Sequence, residues 1–298
     1  MKLTFKLFVV FSLFIIFLVA CHPKKEPTSP SESSPSSEKQ KWLGSKAVVI
    51  APALDLRSKP KEGSIVITAE PLIHQCSVLT VEEESGDWLK VTTEQGNSGY
   101  LLYKSEKDEQ FIIPLAEFEI NYTTALDCLP TAEAHKDELN SDAKLVGIWG
   151  QALIDGRAKS WVFHYYSPST QKYMRLEVAK DQVIDKKIGG LELTAFISGA
   201  IYPPISGGTT FEIPADIIDS DLAAKAAVEN GAEKFLDERD KYYAQVICCY
   251  YIGYPSYPGG ASVRWNVAFD AGMDGAHALV VGPTDTTYYG QYDCIPKK

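Results

Sequence analysis

The sequence has little of what most metal and catalytic sites are built from. Its 298 residues include six cysteines and five histidines, without a CxxC pair, an HExxH motif or a GxSxG turn. These patterns are typical of zinc or thiol redox centres, of metalloproteases and of serine hydrolases, respectively. We therefore expect no cofactor, no metal ion and no enzymatic activity.

Positive charge is also scarce. The chain carries 29 lysines and arginines against 39 aspartates and glutamates, which gives a formal net charge of -10. Proteins that bind nucleic acid usually present a basic surface, because contacts with phosphate supply most of the non-specific affinity. Nucleic acid is therefore not an expected partner.

The N-terminal segment contains an apolar run that is too short for a permanent membrane helix. Lys2 and Lys6 precede an apolar stretch over residues 7–20 that only Ser12 interrupts. Its roughly 14 residues are fewer than the roughly 20 that a helix needs to cross the hydrocarbon core. A short positive segment followed by such a run is typical of a signal peptide.

The end of this run, Leu18-Val19-Ala20-Cys21, resembles the lipobox of bacterial lipoproteins. The resemblance implies that residues 1–21 hold the signal peptide and lipobox, and that Cys21 carries the lipid and becomes the N-terminus. Such an anchor places the protein on a membrane outside the cytoplasm, and His22 in place of aspartate favours the outer membrane in an envelope that has one. The alternative is an ordinary signal peptide that happens to end near a cysteine.

Residues 22–45 are rich in proline, serine, lysine and glutamate and nearly devoid of apolar side chains apart from Trp42 and Leu43. Such a segment buries too little apolar surface to offset its conformational entropy. It is predicted to be a disordered tether.

Five short apolar runs follow over residues 46–107, at 47–50, 64–68, 77–81, 88–92 and 99–103. Turn residues separate them, which predicts a small β-barrel. Three motifs occur in order, LDLRSKP at 54–60, GDWLKV at 86–91 and GNSGY at 96–100. This order resembles the bacterial SH3-like domain, which implies contact with peptidoglycan or with a peptide of an envelope protein.

Three aromatic residues of this segment, Trp88, Tyr100 and Tyr103, are candidates for an aromatic binding platform. Aromatic rings offer a large contact area at low entropic cost. The alternative is that Trp88 and Tyr100 fill the core of the small barrel.

Residues 110–298 are predicted to be an α+β region of two helix-plus-antiparallel-meander repeats, 110–205 and 206–298. Ser141 is predicted to cap a first helix that carries Leu145 and Trp149, and Asp219 or Ser220 to cap a second one. Two hairpins that begin at Trp161 and Trp265 follow the helices, each with alternating apolar residues. Leu176 and Val280 lie equally far from these tryptophans, so the two hairpins are predicted to align without a gap.

The tryptophan-containing segments at 149–163 and 219–267 resemble PepSY-type units of exported bacterial proteins. The resemblance implies a cystatin-like fold and a role as an inhibitor or an assembly module. Tyr254 and Tyr257, in a loop rich in tyrosine, proline and glycine, are further contact candidates. The alternative for these tyrosines is that they cover a sheet edge.

Five cysteines remain beside Cys21, an odd number, so at least one is unpaired or bonded between chains. Disulfides persist in exported proteins. The candidates for disulfide bonds are Cys76, Cys128, Cys248, Cys249 and Cys294, with no connectivity assigned.

The sequence as a whole predicts a membrane-tethered binding protein of the cell envelope. The alternative is a cell-wall or envelope hydrolase with an unrecognised active site, or an accessory protein or inhibitor of one. A hydrolase would be indicated by Cys249 meeting His164 or His277 at hydrogen-bond distance.

Overall fold

The structure, a computed structural model, describes residues 42–190, 212–237, 243–251, 262–270 and 276–293. The described chain is mainly β, with antiparallel sheets and a few short helices. None of the helices in these residues is long and apolar enough to cross a membrane. Four of the predicted functional residues lie outside the described residues: Cys21, Tyr254, Tyr257 and Cys294.

Seven strands form the N-terminal part of the fold: β1 (Lys46–Val49), β2 (Ala53–Asp55), β3 (Leu72–His74), β4 (Val78–Ser85), β5 (Trp88–Thr92), β6 (Ser98–Leu102) and β7 (Ile112–Pro114). Five of them make one antiparallel sheet in the order β6-β5-β4-β1-β7, and β2 pairs with β3 in a second sheet. The strands predicted at 47–50, 77–81, 88–92 and 99–103 are confirmed within a few residues.

The strand predicted over residues 64–68 is wrong. This segment makes only an isolated bridge, between Val66 and Arg57. The apolar residues that suggested a strand do not share a buried face, because the Ile65 side chain is 77% exposed. The second strand of this part is instead β2, with β3 as its partner.

The two N-terminal sheets enclose one core, although no continuous ladder closes them into a barrel. The contact between them is a bridge in which Arg57 N–H donates to the Tyr100 carbonyl at 2.9 Å and Tyr100 N–H donates back at 2.7 Å. Four leucines fill the interior without exposure: Leu79, Leu89 and Leu101 of the five-stranded sheet, and Leu56 directly after β2.

The N-terminal sheet continues beyond the predicted end at residue 107, since β7 pairs with β1. The first helix, α1 (Leu115–Asn121), then lies over this edge, where Phe118 is fully buried beside Val48 and Ile113. The structure therefore places α1 with the N-terminal sheet. We call residues 42–121 the N-terminal unit.

The C-terminal unit, the described residues from 122 onward, is built on one eight-stranded antiparallel sheet in the order β11-β10-β9-β8-β12-β13-β14-β15. Each half of this sheet is a four-stranded meander, and the halves meet where β8 pairs with β12. The strands are β8 (Lys144–Gly150), β9 (Trp161–Ser167), β10 (Lys172–Ala179), β11 (Gln182–Gly189), β12 (Tyr243–Tyr251), β13 (Ser262–Asp270), β14 (Ala276–Val281) and β15 (Tyr288–Asp293).

The helix predicted after Ser141 is wrong, because residues 144–150 form the central strand β8. This strand lies between β9 and β12, and Val146 and Ile148 are both buried. A strand covered on both faces has a continuous apolar pattern, which periodicity alone does not distinguish from a buried helix.

The helix of the first half lies upstream instead, as α2 (Ala125–Glu133), followed by a 3₁₀ turn (Lys136–Glu138). Thr124 caps α2: its hydroxyl accepts from Asp127 N–H, and the Asp127 carboxylate accepts from Thr124 N–H at 3.0 Å. This reciprocal pair satisfies two helix-end donors that would otherwise lack partners.

The helix predicted after Asp219 is confirmed as α3 (Ser220–Ala227). The Asp219 carboxylate accepts from Ser220 N–H at 2.7 Å. The chain then kinks through Val228–Ala232 and ends in the short helix α4 (Glu233–Asp237). The helices of both halves face the same side of the sheet, where one apolar core contains residues of both halves.

The two hairpins are offset by one residue, so the gapless alignment is wrong. Trp161 pairs with Val178, 17 positions later, whereas Trp265 pairs with Val281, 16 positions later. Val280 pairs with Asn266 and therefore lies on the other face of the sheet from Trp265. The turns of the two hairpins differ in length.

The two halves nevertheless use the same contact between sheet and helix. The Trp161 indole N–H donates to the carbonyl of Thr123 at 2.9 Å, directly before the cap of α2. The Trp265 indole N–H donates to the carbonyl of Ile218 at 3.1 Å, directly before the cap of α3. Both tryptophans are fully buried.

The starts of α2 and α3 are also joined to each other. Leu126 N–H donates to the Asp219 carboxylate at 3.0 Å, and Ala125 N–H donates to the Ser220 hydroxyl at 3.0 Å. The same hydroxyl donates to the carbonyl of Gly156 at 2.7 Å. Asp219 and Ser220 thus connect the two halves at the centre of the unit.

Candidate functional site

The outer face of β5 and β6 carries two of the three predicted platform residues. Trp88 lies opposite Leu102 and Tyr100 opposite Lys90, so the two aromatics are diagonal neighbours on one face of the hairpin. Both are half-buried, whereas Leu89 on the inner face is fully buried. We call Trp88 and Tyr100 the aromatic face.

Tyr103, the third platform residue, does not join them. Its ring lies in the core, 8% exposed and 5.5 Å from the ring of Trp42. Its hydroxyl donates to the Glu84 carboxylate at 2.9 Å. Burial, together with this carboxylate, raises the pKa of Tyr103 to about 12. Tyr103 therefore stabilises the N-terminal unit from inside.

The charged groups beside the aromatic face are already paired. The Lys90 ammonium lies 2.9 Å from the Glu82 carboxylate. The hydroxyl of Thr92 and the Lys90 ammonium lower the pKa of Glu82. Arg57, the bridge partner of Tyr100, forms an ion pair with Asp55 and donates to the Ser64 carbonyl at 2.9 Å. These pairs leave ring contact as the main interaction that the aromatic face offers.

The cysteines that the structure describes fully are not in disulfide bonds. Cys76 and Cys128, two of the predicted disulfide candidates, have free thiols. Burial is the largest cause of the raised pKa of both thiols, which disfavours the reactive thiolate. Cys248 and Cys249 lie in β12, opposite Ile148 and Gly147 of β8.

His164 is buried in the sheet. It is 1% exposed, and neither ring nitrogen has a hydrogen-bond partner in the described structure. Burial, and secondarily the charge of Arg175 on the neighbouring strand, lowers the pKa of His164 to about 3. The imidazole is therefore neutral at physiological pH.

The described residues bring together no recognisable catalytic pair. Gly147 of β8 pairs with His164 on one side and with Cys249 on the other. The backbones of His164 and Cys249 are therefore two strand spacings apart, roughly 10 Å. His277 lies farther away on β14, opposite Phe269. No group of three histidine, cysteine or acidic side chains in the described chain is arranged to hold a metal ion.

A cleft of about 460 Å³ lies where the two units meet. Helix α1 forms one wall, the turn between β10 and β11 forms the other, and Lys159 lies beside them. The residues that line the cleft come from four separate stretches of sequence and share no motif. The cleft therefore could not be predicted from the sequence.

Comparison with known proteins gives no family for this chain. No protein family model matches the sequence, and no curated protein does so. A crystal structure of a candidate lipoprotein from Clostridium difficile 630 is similar over 56% of this chain and 92% of its own, at 9% identity and a TM-score of 0.35. A likeness this distant carries no argument about fold or function.

Proposed function

We propose that the chain is a lipoprotein of the bacterial cell envelope, anchored outside the cytoplasm through Cys21, and that it acts as a binding protein. The observation that carries the anchoring is the order of a positive segment, a short apolar run, the Leu18-Val19-Ala20-Cys21 motif and a polar spacer. The described residues begin at 42, and the roughly 20 residues between Cys21 and this point make up most of the proposed spacer. The outer membrane is the proposed site in an envelope that has one.

We further propose that the N-terminal unit is SH3-like and contacts peptidoglycan or a peptide of an envelope protein through its aromatic face. Two observations support this. Trp88 and Tyr100 are half-buried on the outside of the sheet, while leucines fill the core without them. The neighbouring charges are paired with each other, so a ligand meets ring surface first.

The proposed role of the C-terminal unit is an interaction scaffold of two PepSY-type, cystatin-like halves. The supporting observation is the repeated bond from a buried tryptophan to the carbonyl before a helix cap, at Trp161 and at Trp265. No contact among the described residues favours the hydrolase alternative, since His164 has no hydrogen-bond partner there.

Retention on purified cell wall tests the binding proposal. We expect the full-length protein to sediment with wall fragments, and Trp88→Ala or Tyr100→Ala to reduce the retained fraction by about tenfold. Losing one well-placed aromatic contact typically costs about 1 to 2 kcal/mol of binding free energy. Both variants should keep the wild-type circular dichroism spectrum, because these side chains lie outside the core.

Two control variants separate binding from folding. Ile65→Ala removes an exposed apolar side chain from the same unit and should leave retention unchanged. Tyr103→Phe removes the bond to Glu84 and should lower stability while retention persists. Equal retention of wild type, Trp88→Ala and Tyr100→Ala would show that the aromatic face is not the contact surface.

A further inference from the structure

Tertiary contacts fix the backbone segments that line the cleft between the two units. Tyr122, at the end of α1, stacks on Phe118 with ring centroids 4.9 Å apart. Thr123 and Ala158 exchange two backbone hydrogen bonds of 2.9 Å, which fixes the neighbouring Lys159 beside Tyr122. The Lys159 ammonium lies 5.5 Å from the centre of the Tyr122 ring.

The opposite wall is a two-residue hairpin turn, Lys180-Asp181, between Ala179 and Gln182, which pair with each other. Lys180 adopts a positive φ of 54°, which suits this kind of turn but is unusual for lysine. The turn lies next to the buried Cys128 thiol of α2: burial raises the pKa of this thiol, and the backbone of Lys180 offsets part of the rise. The turn is therefore packed against α2, with the Lys180 side chain exposed at the cleft.

The lining of the cleft presents charges of both signs. Lys159 and Lys180 supply two ammonium groups, and Glu117 and Asp181 supply two carboxylates. In the part of the chain that the structure describes, neither of these lysines forms an ion pair. A ligand that carries one positive and one negative group finds a group of opposite charge for each of them in this lining.

Amide and apolar groups complete the lining. Gln110, Asn121 and Gln182 bring side-chain amides, each of which both donates and accepts hydrogen bonds, as a peptide group does. Ile120 is 57% exposed at the same place, and beside it lies the ring of Tyr122. The volume falls within the range of small-ligand sites and suits a few residues of peptide.

We propose that this cleft is a second binding site, which takes a short free peptide as a zwitterion. Lys159 and Lys180 hold the terminal carboxylate, Asp181 faces the terminal ammonium, and Ile120 contacts an apolar side chain of the ligand. The site is separate from the aromatic face, and it does not depend on what that face binds.

Calorimetric titration of the full-length protein in detergent with the tripeptide Ala-Leu-Ala tests this proposal. The free tripeptide should bind at micromolar to millimolar concentration, and its C-terminal amide about tenfold more weakly, because a charge-assisted hydrogen bond is lost. The substitutions Lys159→Gln and Lys180→Asn should each lower the affinity for the free tripeptide by a similar factor. Asparagine tolerates the positive φ at position 180, so that variant removes charge without straining the turn.

The double variant provides the decisive comparison. It should bind the free tripeptide and the amide equally, because the groups that distinguish them are gone. Lys172→Gln, an exposed lysine outside the cleft, should bind like wild type. The proposal is overturned by undetectable tripeptide binding at millimolar concentration, by equal wild-type affinity for acid and amide, or by a double variant that still discriminates. None of these outcomes bears on wall retention through Trp88 and Tyr100.

Discussion

Replacing Trp161 by alanine should unfold the C-terminal unit under conditions in which the wild type is stable. The side chain is fully buried, and its indole donates to the Thr123 carbonyl at 2.9 Å. Removing a buried tryptophan costs about 3 to 5 kcal/mol, a large share of the roughly 5 to 15 kcal/mol that stabilises a typical domain. Urea unfolding followed by circular dichroism measures the change.

Trp161→Phe is the matched control, since it keeps most of the ring and loses the indole N–H. We expect a smaller loss, about 1 to 3 kcal/mol, from the lost indole hydrogen bond and the reduced volume, since the Thr123 carbonyl still accepts from Ala158 N–H. The ring packs directly on Gly150 of β8, where a Cβ would come within 2.6 Å of it. If the unfolding free energy of the alanine variant is less than 1 kcal/mol below that of the wild type, Trp161 is not part of the core.

Acid should destabilise the protein through His164 more than through any exposed histidine. Its pKa is lowered to about 3 in the folded state, against about 6.5 in an unfolded chain. Between about pH 6.5 and pH 3 this histidine is therefore protonated in the unfolded chain and neutral in the folded protein. The contribution to stability is complete above pH 6.5 and is lost by about 1.4 kcal/mol per pH unit as the pH falls towards 3.

His164→Leu isolates this effect, because leucine fills the buried position without a titrating group. The unfolding free energy of the wild type should fall about 3 kcal/mol further than that of the variant between pH 7 and pH 4. Carboxylates such as Asp142, whose pKa the Ser167 hydroxyl lowers, add an acid sensitivity that both proteins share. Equal losses for both proteins would show that His164 is protonated in the folded state.

Parts of this fold could be predicted from the sequence because the signals are local. Asp219 before an alanine-rich stretch predicts a capped helix, and the alternation of Trp265, Val267 and Phe269 predicts a strand with one buried face. Strand alternation also argues against an aromatic platform that contains both Tyr100 and Tyr103. Tyr100 and Tyr103 are an odd number of positions apart, so a regular strand points them to opposite faces.

Other parts depend on contacts that a local pattern does not contain. The capping pair of Thr124 and Asp127 marks the start of α2, but the Pro130 inside that helix argues against a helix there. The nearly continuous burial of β8 predicts a helix as readily as a strand, and its central position in the sheet depends on pairing with β12, about a hundred residues later. The cleft likewise exists only after α1 and the turn at Lys180 meet.

The central claim, a lipid-anchored protein outside the cytoplasm, is tested most directly by the mass and location of a Cys21→Ala variant. The wild-type protein should fractionate with membranes and, by intact mass spectrometry, begin at Cys21 with an added lipid mass. The variant should lack that mass and lose its lipid-mediated membrane attachment, because residues beyond 21 offer no comparable apolar segment. A variant that stays in the membrane fraction, with a mass changed only by the substitution, would contradict the account.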